Sequence, residues 1–135
     1  MATILVVEDE RIVTEDIREA LQQLGYEVPA MASSGTQAIS AAAKVGPELV
    51  LMDVRLRGSM DGIEAAERIC RDLNVPVVFL TAYADDRTLE RAKRTGPYGY
   101  LVKPFNEREL RSTIEVALYK HGVETQLRDL HAQLE

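Results

Sequence analysis

The chain has one cysteine, no excess of positive charge and no long hydrophobic run, and each shortage excludes a class of protein. The lone Cys70 cannot form an internal disulfide, and its helix-like spacing from Ile63 and Leu73 predicts a packed thiol rather than a reactive one. The 22 acidic and 16 basic residues give a net charge of −6. Direct binding to nucleic acid is therefore not expected, because such contact needs a clustered basic face.

No apolar stretch approaches the ~20 residues that a membrane-spanning helix needs, so we expect no membrane contact. The first residues lead straight into a short apolar run and lack the basic and apolar segments of a signal peptide. The cytoplasm is therefore the predicted compartment.

Apolar runs of strand length alternate with amphipathic stretches of helix length, which is typical of repeated βα units around a parallel sheet. At 135 residues the chain fits one α/β domain with a short appendage. The predicted strands cover residues 4–7, 28–32, 49–52, 77–80 and 100–102. The predicted helices cover residues 10–24, a stretch between Gly35 and Gly46, residues 62–73, residues 86–95, and a last helix capped by Asn106 with Glu109.

The hydrophobic pattern changes after residue 122 to a seam of heptad type, formed by Val123, Leu127, Leu130 and Leu134. We therefore divide the chain into a domain over residues 1–121 and a helical tail or linker over residues 122–135, with the pattern of a short coiled coil. Two interpretations stay open. The seam contacts a partner, or the last helix overruns its domain and folds this stripe back onto it.

Polar side chains end four of the predicted strands. Glu8 and Asp9 follow the first strand, Asp53 the third, Thr81 the fourth and Lys103 the fifth. Because βα units bring the carboxyl ends of parallel strands to one edge of the sheet, we expect these groups to meet there. One polar residue at a strand end is ordinary, but four such ends with complementary chemistry favour a functional site.

The acids at this edge require a counter-charge. Glu8, Asp9 and Asp53 would each raise the proton affinity of the others unless they share a cation. Oxygen ligands favour Mg²⁺ or Mn²⁺, and Mg²⁺ also accepts phosphate oxygens. A carboxylate can accept a phosphoryl group, whose oxygens the Thr81 hydroxyl and the Lys103 ammonium are suited to bind. The residues therefore predict metal-dependent phosphoryl transfer.

Five motifs occur in a fixed order: Leu5-Val6-Val7-Glu8-Asp9-Glu10, Leu51-Met52-Asp53, Met60-Asp61-Gly62, Leu80-Thr81-Ala82 and Tyr100-Leu101-Val102-Lys103-Pro104-Phe105. Over about residues 3–119 this set resembles the response-regulator receiver domains of two-component, or phosphorelay, signalling. The resemblance implies a flavodoxin-like, doubly wound sheet of five parallel strands in the order 2-1-3-4-5. Here the sheet would be followed by an extended C-terminal helix.

The same resemblance assigns roles at the acidic edge. Asp53 is implied to be the phosphoacceptor, and Asp9 a direct Mg²⁺ ligand. Glu8 takes the other acidic position and acts on the metal largely through water, while the backbone carbonyl of Arg55 is a further ligand. The implied phosphoryl donor is a partner histidine kinase or phosphotransfer protein.

A switch is also implied. Thr81 and Lys103 match the residues that contact the phosphoryl group, and Tyr100 matches the aromatic that turns inward when the threonine moves. The Lys103–Pro104 peptide bond is expected to be cis. The resulting change would alter the surface of the fourth helix, fifth strand and fifth helix, which continues into the tail and would serve a homodimer, a partner or an effector domain.

Three other functions share parts of this pattern. A phosphatase or mutase of the haloacid-dehalogenase type also uses Mg²⁺ and a strand-end Asp, but it wants a second Asp two residues on, where this chain has Arg55. A nucleotide carrier would need a glycine-rich phosphate loop, and Glu8-Asp9-Glu10 would repel the anion. An interaction module that is never phosphorylated is the third alternative. The favoured interpretation is a switch without enzymatic activity beyond its own phosphoryl transfer and dephosphorylation.

Overall fold

The computed structural model describes residues 2–56, 58–81, 90–93 and 97–134, and its centre is a sheet of five parallel strands. The strands are β1 (Ile4–Val7), β2 (Met31–Ala32), β3 (Leu49–Asp53), β4 (Val77–Thr81) and β5 (Gly99–Val102). They pair in the order β2-β1-β3-β4-β5. This confirms the flavodoxin-like topology predicted from the sequence.

The helices lie close to their predicted positions. They are α1 (Arg11–Gln23), α2 (Gly35–Val45), α3 (Gly62–Leu73) and α5 (Glu107–Leu134), and we label the helical residues 90–93 α4. The rest of the helix predicted over residues 86–95 lies outside the described residues. No helix in the described ranges combines the length and apolar character needed to cross a membrane.

Local hydrogen bonds explain where the helices begin. The Ser34 hydroxyl accepts from the backbone N–H of Gln37 at α2. At α5, Asn106 Oδ1 accepts from the N–H of Glu109 (2.8 Å), and the Glu109 side chain accepts from the N–H of Asn106 (3.4 Å). These contacts satisfy amide groups that the first turn of a helix leaves without partners, so the predicted capping box is confirmed.

The second strand is shorter than predicted. Met31 and Ala32 pair with β1 opposite Val6 and Val7, and Glu27 forms an isolated bridge with Thr3, so the pairing is interrupted over residues 28–30 where a continuous strand was predicted from residue 28. Pro29 has no N–H to give to a ladder, which limits pairing at this end of an edge strand. The carboxyl end of β2 is nevertheless where it was expected, beside the end of β1.

The strands are apolar throughout because helices cover both faces of the sheet. Leu5, Val7, Val50 and Met52 pack on the side of α2 and α3, and alternate residues pack on the side of α1 and α5. Cys70 is half-buried against the first cluster, and burial raises the pKa of its thiol to about 11. This agrees with the packed thiol predicted from the sequence.

Helix α5 has two different halves. Leu110, Ile114 and Ala117 are buried in the core. Beyond them the helix continues without a break through Gly122, and Leu127 and Leu134 are 61% and 86% exposed. The interpretation in which the seam folds back onto its own domain is therefore not the one that the structure adopts. The division at residues 121 and 122 stays a prediction.

Candidate functional site

Three buried or half-buried charged groups meet at the carboxyl edge of the sheet. Glu8 follows β1, Asp53 ends β3 and Lys103 follows β5. The Lys103 ammonium donates to Asp53 Oδ2 at 2.8 Å and to both carboxylate oxygens of Glu8 at 3.2 Å. Glu8 is 2% exposed and Asp53 7% exposed, so water screens these charges poorly. The predicted convergence of strand ends is present in the structure.

The backbone around Asp53 holds its carboxylate from the opposite side. Asp53 Oδ1 accepts from the N–H of Arg55 at 2.9 Å, and the Gly62 N–H donates to the carbonyl of Val54 at 3.0 Å. A Cβ atom at Gly62 would lie 1.9 Å from the Asp53 carbonyl oxygen. Only glycine allows α3 to begin this close to the end of β3.

Glu8 is fixed through its backbone. Its N–H donates to the carbonyl of Ala32 at 3.0 Å, across to the end of β2. The Thr14 hydroxyl contacts the carbonyl oxygens of Glu8 at 3.3 Å and Glu10 at 3.1 Å, which ties the β1–α1 connection to the first turn of α1. The buried carboxylate is thus held on rigid elements rather than on a free loop.

Burial and neighbouring charge shift the proton affinities of this group. Loss of water around Glu8, reinforced by its hydrogen bond with Asp53 and by the charge of Asp53, raises the pKa of Glu8 from 4.5 to about 8. Lys103 opposes this shift without cancelling it. Burial acts to lower the pKa of Lys103, but the hydrogen bonds and charges of Asp53 and Glu8 outweigh burial and raise it. Within the described part of the edge, the Lys103 ammonium alone does not balance the two buried carboxyl groups.

The donor atoms suit a hard divalent cation. Within the described residues, carboxylate oxygens of Glu8, Asp9 and Glu10 lie within 4.8 Å of one another. Asp53 is not a member of this compact set, although Lys103 links it to Glu8. Glu10 was not among the ligands predicted from the sequence. Its position directly after Asp9 could have suggested it. An oxygen-only set with net negative charge fits Mg²⁺ or Mn²⁺.

The predicted switch residues lie on the neighbouring strands. Thr81 ends β4, directly after the strand partner of Asp53, and its carbonyl accepts from the N–H of Lys103 at 2.8 Å. Tyr100 is half-buried on β5 and stacks on Phe79 with ring centroids 6.3 Å apart. The Lys103–Pro104 peptide bond is cis, as expected.

A second polar cluster, which we call the tail clasp, was not predicted. His121 Nε2 lies 2.9 Å from the Asn74 carbonyl, and Arg128 donates to Asn74 Oδ1 at 3.3 Å. The Tyr98 hydroxyl hydrogen-bonds the Glu124 carboxylate. The tail clasp consists of these five residues and fastens one face of distal α5 to the end of α3 and the start of β5. No short-range sequence pattern could reveal contacts between residues so far apart in the chain.

Comparison with known proteins gives one consistent result. The family model of the response regulator receiver domain matches residues 4–115. The transcriptional regulatory protein PdtaR of Mycobacterium tuberculosis is 39% identical over 115 residues, which cover 85% of this chain and 56% of that protein. The regulatory protein AtoC of Escherichia coli is 35% identical over 132 residues, or 97% of this chain and 28% of that protein. The chain thus spans about half or less of the length of these relatives.

Solved structures show the same likeness over nearly the whole chain. The signal receiver domain of a modulated diguanylate cyclase from Desulfovibrio desulfuricans superimposes with a TM-score of 0.88 at 37% identity. The match covers 92% of this chain and 98% of that one. The likeness in fold therefore agrees with the match to the family model.

Proposed function

The chain belongs to the response regulator receiver domain family, and from this membership we propose that it is a phosphorylation-dependent signalling switch whose phosphoacceptor is Asp53. One observation carries the proposal. The Lys103 ammonium contacts a buried carboxylate at the strand end, 2.8 Å from Asp53 Oδ2, where it would meet an incoming phosphoryl oxygen. Among the residues that the structure describes, Asp53 is the one acid at this edge that has both such a cation and, on the adjacent strand, the Thr81 hydroxyl.

The proposed transfer begins at a phosphohistidine of a partner histidine kinase or phosphotransfer protein. A carboxylate oxygen of Asp53 forms a bond to phosphorus while the phosphorus–nitrogen bond breaks. The electron pair goes to the imidazole nitrogen, which takes up a proton from solvent. Lys103 pairs with one oxygen of the transferred group and Thr81 hydrogen-bonds another, so that positioning and charge neutralisation supply the catalysis.

The metal site belongs to the same proposal. Asp9, Asp53 and the backbone carbonyl of Arg55 would bind Mg²⁺ or Mn²⁺ directly, and Glu8 largely through water. Bound there, the cation supplies positive charge that offsets the carboxylates and the phosphoryl oxygens. Arg55 in place of a general-acid Asp argues against the phosphatase or mutase alternative.

The proposed output surface is made of α4, β5 and α5. Movement of Thr81 toward the phosphoryl group would leave space for the Tyr100 ring, and the repacked surface would be read by a homodimer, a partner or an effector domain. The relatives named above are regulatory proteins by name, and we propose that this chain is likewise regulatory. We keep the predictions that the chain itself does not contact nucleic acid or membrane and that it acts in the cytoplasm.

Phosphorylation by acetyl phosphate or phosphoramidate with Mg²⁺ tests the acceptor. We expect intact-mass spectrometry to show one added phosphoryl group on the parent chain and none on Asp53→Asn. Asp129→Asn, which removes an exposed acid from the tail, is the matched control and should be labelled like the parent. Equal labelling of Asp53→Asn would overturn the assignment.

Metal dependence is tested separately. EDTA should stop phosphorylation, because the acids at this edge then have no divalent counter-charge. Asp9→Ala should weaken Mg²⁺ binding more than Glu8→Gln, since Asp9 is the proposed direct ligand. Parent-like Mg²⁺ binding by both variants would show that this cluster is not the metal site.

A further inference from the structure

The carboxylate of Asp61 contacts two helices at once. Its Oδ1 atom accepts from the N–H of Glu64 at 2.9 Å and so caps the first turn of α3. Its Oδ2 atom pairs with the Arg91 guanidinium of α4, also at 2.9 Å. A single side chain therefore marks the start of one helix and ties the neighbouring helix to it.

Asp61 ends the loop that follows the proposed phosphoacceptor, Asp53. The next residue, Gly62, donates its N–H to the Val54 carbonyl at 3.0 Å and passes so close to the Asp53 carbonyl that a Cβ atom would not fit. The backbone beside Asp61 is thus joined firmly to the end of β3. A cation paired with Asp61 is consequently held in a defined place relative to the acceptor strand.

Both packing and charge attach α4 to the domain. Ala92 is 1% exposed and belongs to the hydrophobic cluster that contains Ile63 of α3, and Tyr100 packs against that same cluster. Apolar packing is non-directional, whereas a hydrogen-bonded ion pair favours one relative placement of its two partners. The contact between Arg91 and Asp61 therefore specifies where α4 lies beside α3.

We propose that the Arg91–Asp61 ion pair restrains α4: it stabilises the placement of this helix in the unphosphorylated chain and opens when the helix repacks. The inference rests on the proposed phosphoryl switch and adds to it a named contact that opposes switching. A contact made in only one of two arrangements shifts the equilibrium toward that arrangement. By linkage, removing the contact should strengthen binding of a phosphoryl group at Asp53 by the same factor.

The exposure of the pair sets the size of the effect. The Arg91 side chain is 55% exposed and that of Asp61 34% exposed, so water screens their attraction. Ion pairs at such positions change an equilibrium constant by at most about fivefold. A restraint of this size adjusts the balance between two arrangements without locking either one.

Two substitutions remove the pair and leave its surroundings in place. Arg91→Met keeps most of the apolar stem but carries no charge. Asp61→Asn keeps a side-chain oxygen for the Glu64 N–H, so the cap of α3 is retained while the charge is lost. Arg68→Met is the matched control, because it removes an exposed arginine whose partner, Glu64, lies on the same helix at 3.7 Å.

Hydrogen exchange on the full, unphosphorylated chain tests the restraint itself. The amides of residues 90–93 should exchange about two- to fivefold faster in Arg91→Met and Asp61→Asn, and at the parental rate in Arg68→Met. Fluorine NMR of beryllofluoride, a phosphoryl mimic, bound with Mg²⁺ tests the effect on the switch. Both variants should bind it about two- to fivefold more tightly than the parent, and the double variant no more tightly than either, since the two changes remove one contact.

Each contrary result removes a defined part of the proposal. Parental exchange rates in both variants would show that the pair does not hold α4. Faster exchange with parental beryllofluoride affinity would show that the pair does not oppose the switch, and weaker affinity would reverse its role. Additive effects in the double variant would mean that the two side chains act separately. A parent that binds no beryllofluoride would contradict the proposed function instead, and hydrogen exchange alone would then decide the restraint.

Discussion

The carboxyl edge of the sheet and the distal half of α5 depart from the usual distribution of polarity in opposite directions. The edge buries two carboxyl groups, Glu8 and Asp53, with one ammonium between them, whereas the tail exposes a row of large hydrophobic side chains. Buried acids and contiguous exposed apolar residues are both uncommon in a monomeric protein. At the edge, the proposed cation and phosphoryl group would supply the missing positive charge and the missing acceptor chemistry, whereas the tail leaves its apolar row open to solvent.

The two regions also differ in what holds them. The edge is held by contacts to its backbone and carboxylate: Gly62 packs against the Asp53 carbonyl, the Thr14 hydroxyl bonds the Glu8 carbonyl, and the Arg55 N–H donates to Asp53. The tail is supported by a few side-chain contacts at the surface, which are worth little individually. We therefore expect substitutions at the edge to cost far more stability than those at the tail, and the predictions below test that difference.

The largest contrast should come from two glycines. Gly62→Ala places a Cβ 1.9 Å from the Asp53 carbonyl oxygen, and we expect a loss of about 4 kcal/mol or failure to fold. Gly122→Ala meets no atom within 4 Å, and it should stabilise the helix by about 0.5–1 kcal/mol. Urea unfolding measures both. Similar effects of the two changes would contradict the close approach at Asp53.

The two halves of α5 give the next contrast. Ile114→Ala removes a fully buried side chain and should cost about 3 kcal/mol in the free energy of unfolding. Leu130→Ala, at a position 57% exposed, should change it by less than about 0.5 kcal/mol when the chain is monomeric. Both variants are compared by urea unfolding in a Leu127→Glu background, because a charge in the exposed seam disfavours self-association. A large loss for Leu130→Ala there would mean that the tail packs on its own domain.

In metal-free solution, the titration of Glu8 at the carboxyl edge should make the free energy of unfolding depend on pH. The pKa of Glu8 is raised from 4.5 to about 8 in the folded chain, so folding binds a proton between these values. The stabilising contribution is complete below pH 4.5 and is lost as the pH rises toward 8. Glu8→Gln should remove this decline and be more stable than the parent at pH 8 by on the order of 2 kcal/mol.

Urea unfolding in EDTA at a series of pH values measures this effect. Asp129→Asn, which changes an exposed acid, should keep the parental slope between pH 4.5 and 8. An unchanged slope in Glu8→Gln would show that another group titrates in this range.

The smallest effect is expected at the tail clasp. Tyr98→Phe removes the hydroxyl that bonds Glu124 and should cost about 1 kcal/mol or less of local stability. Hydrogen exchange of the amides in residues 121–134 should become faster, because distal α5 loses part of its attachment. Tyr119→Phe is the matched control, because it also removes a tyrosine hydroxyl but from an exposed position on α5. Equal protection in both variants would argue against the role of Tyr98.

The sequence predicted the location of the candidate site because apolar runs end in polar residues at four strands, and parallel topology brings those ends together. It did not predict how Lys103 would lie. A long side chain at a strand end can reach several neighbours, and nothing local shows that it bridges Glu8 and Asp53. The sequence predicted the second strand but not that it would be this short, since its length depends on pairing with β1 and not on its own hydrophobicity.

The tail shows the same limit more clearly. Heptad spacing predicted the seam, which depends only on residues three and four apart. The tail clasp depends on Asn74, which ends α3 in a left-handed conformation (φ 53°) and reaches residues 47 and 54 positions further along. Such contacts follow from the packed fold, so whether the seam faces solvent or its own domain could not be decided from the spacing.

The unbroken course of α5 through Gly122 makes the helix a lever. At 1.5 Å per residue, about 21 Å separate Lys120 from Leu134, so a tilt of roughly 5° in the core moves the tip by nearly 2 Å. Apolar contacts lose a quarter to a half of their attraction over a gap of about 0.5–1 Å. A small repacking beside β5 would thus be magnified at the far end of the helix, where side chains either meet a neighbour or fall out of reach.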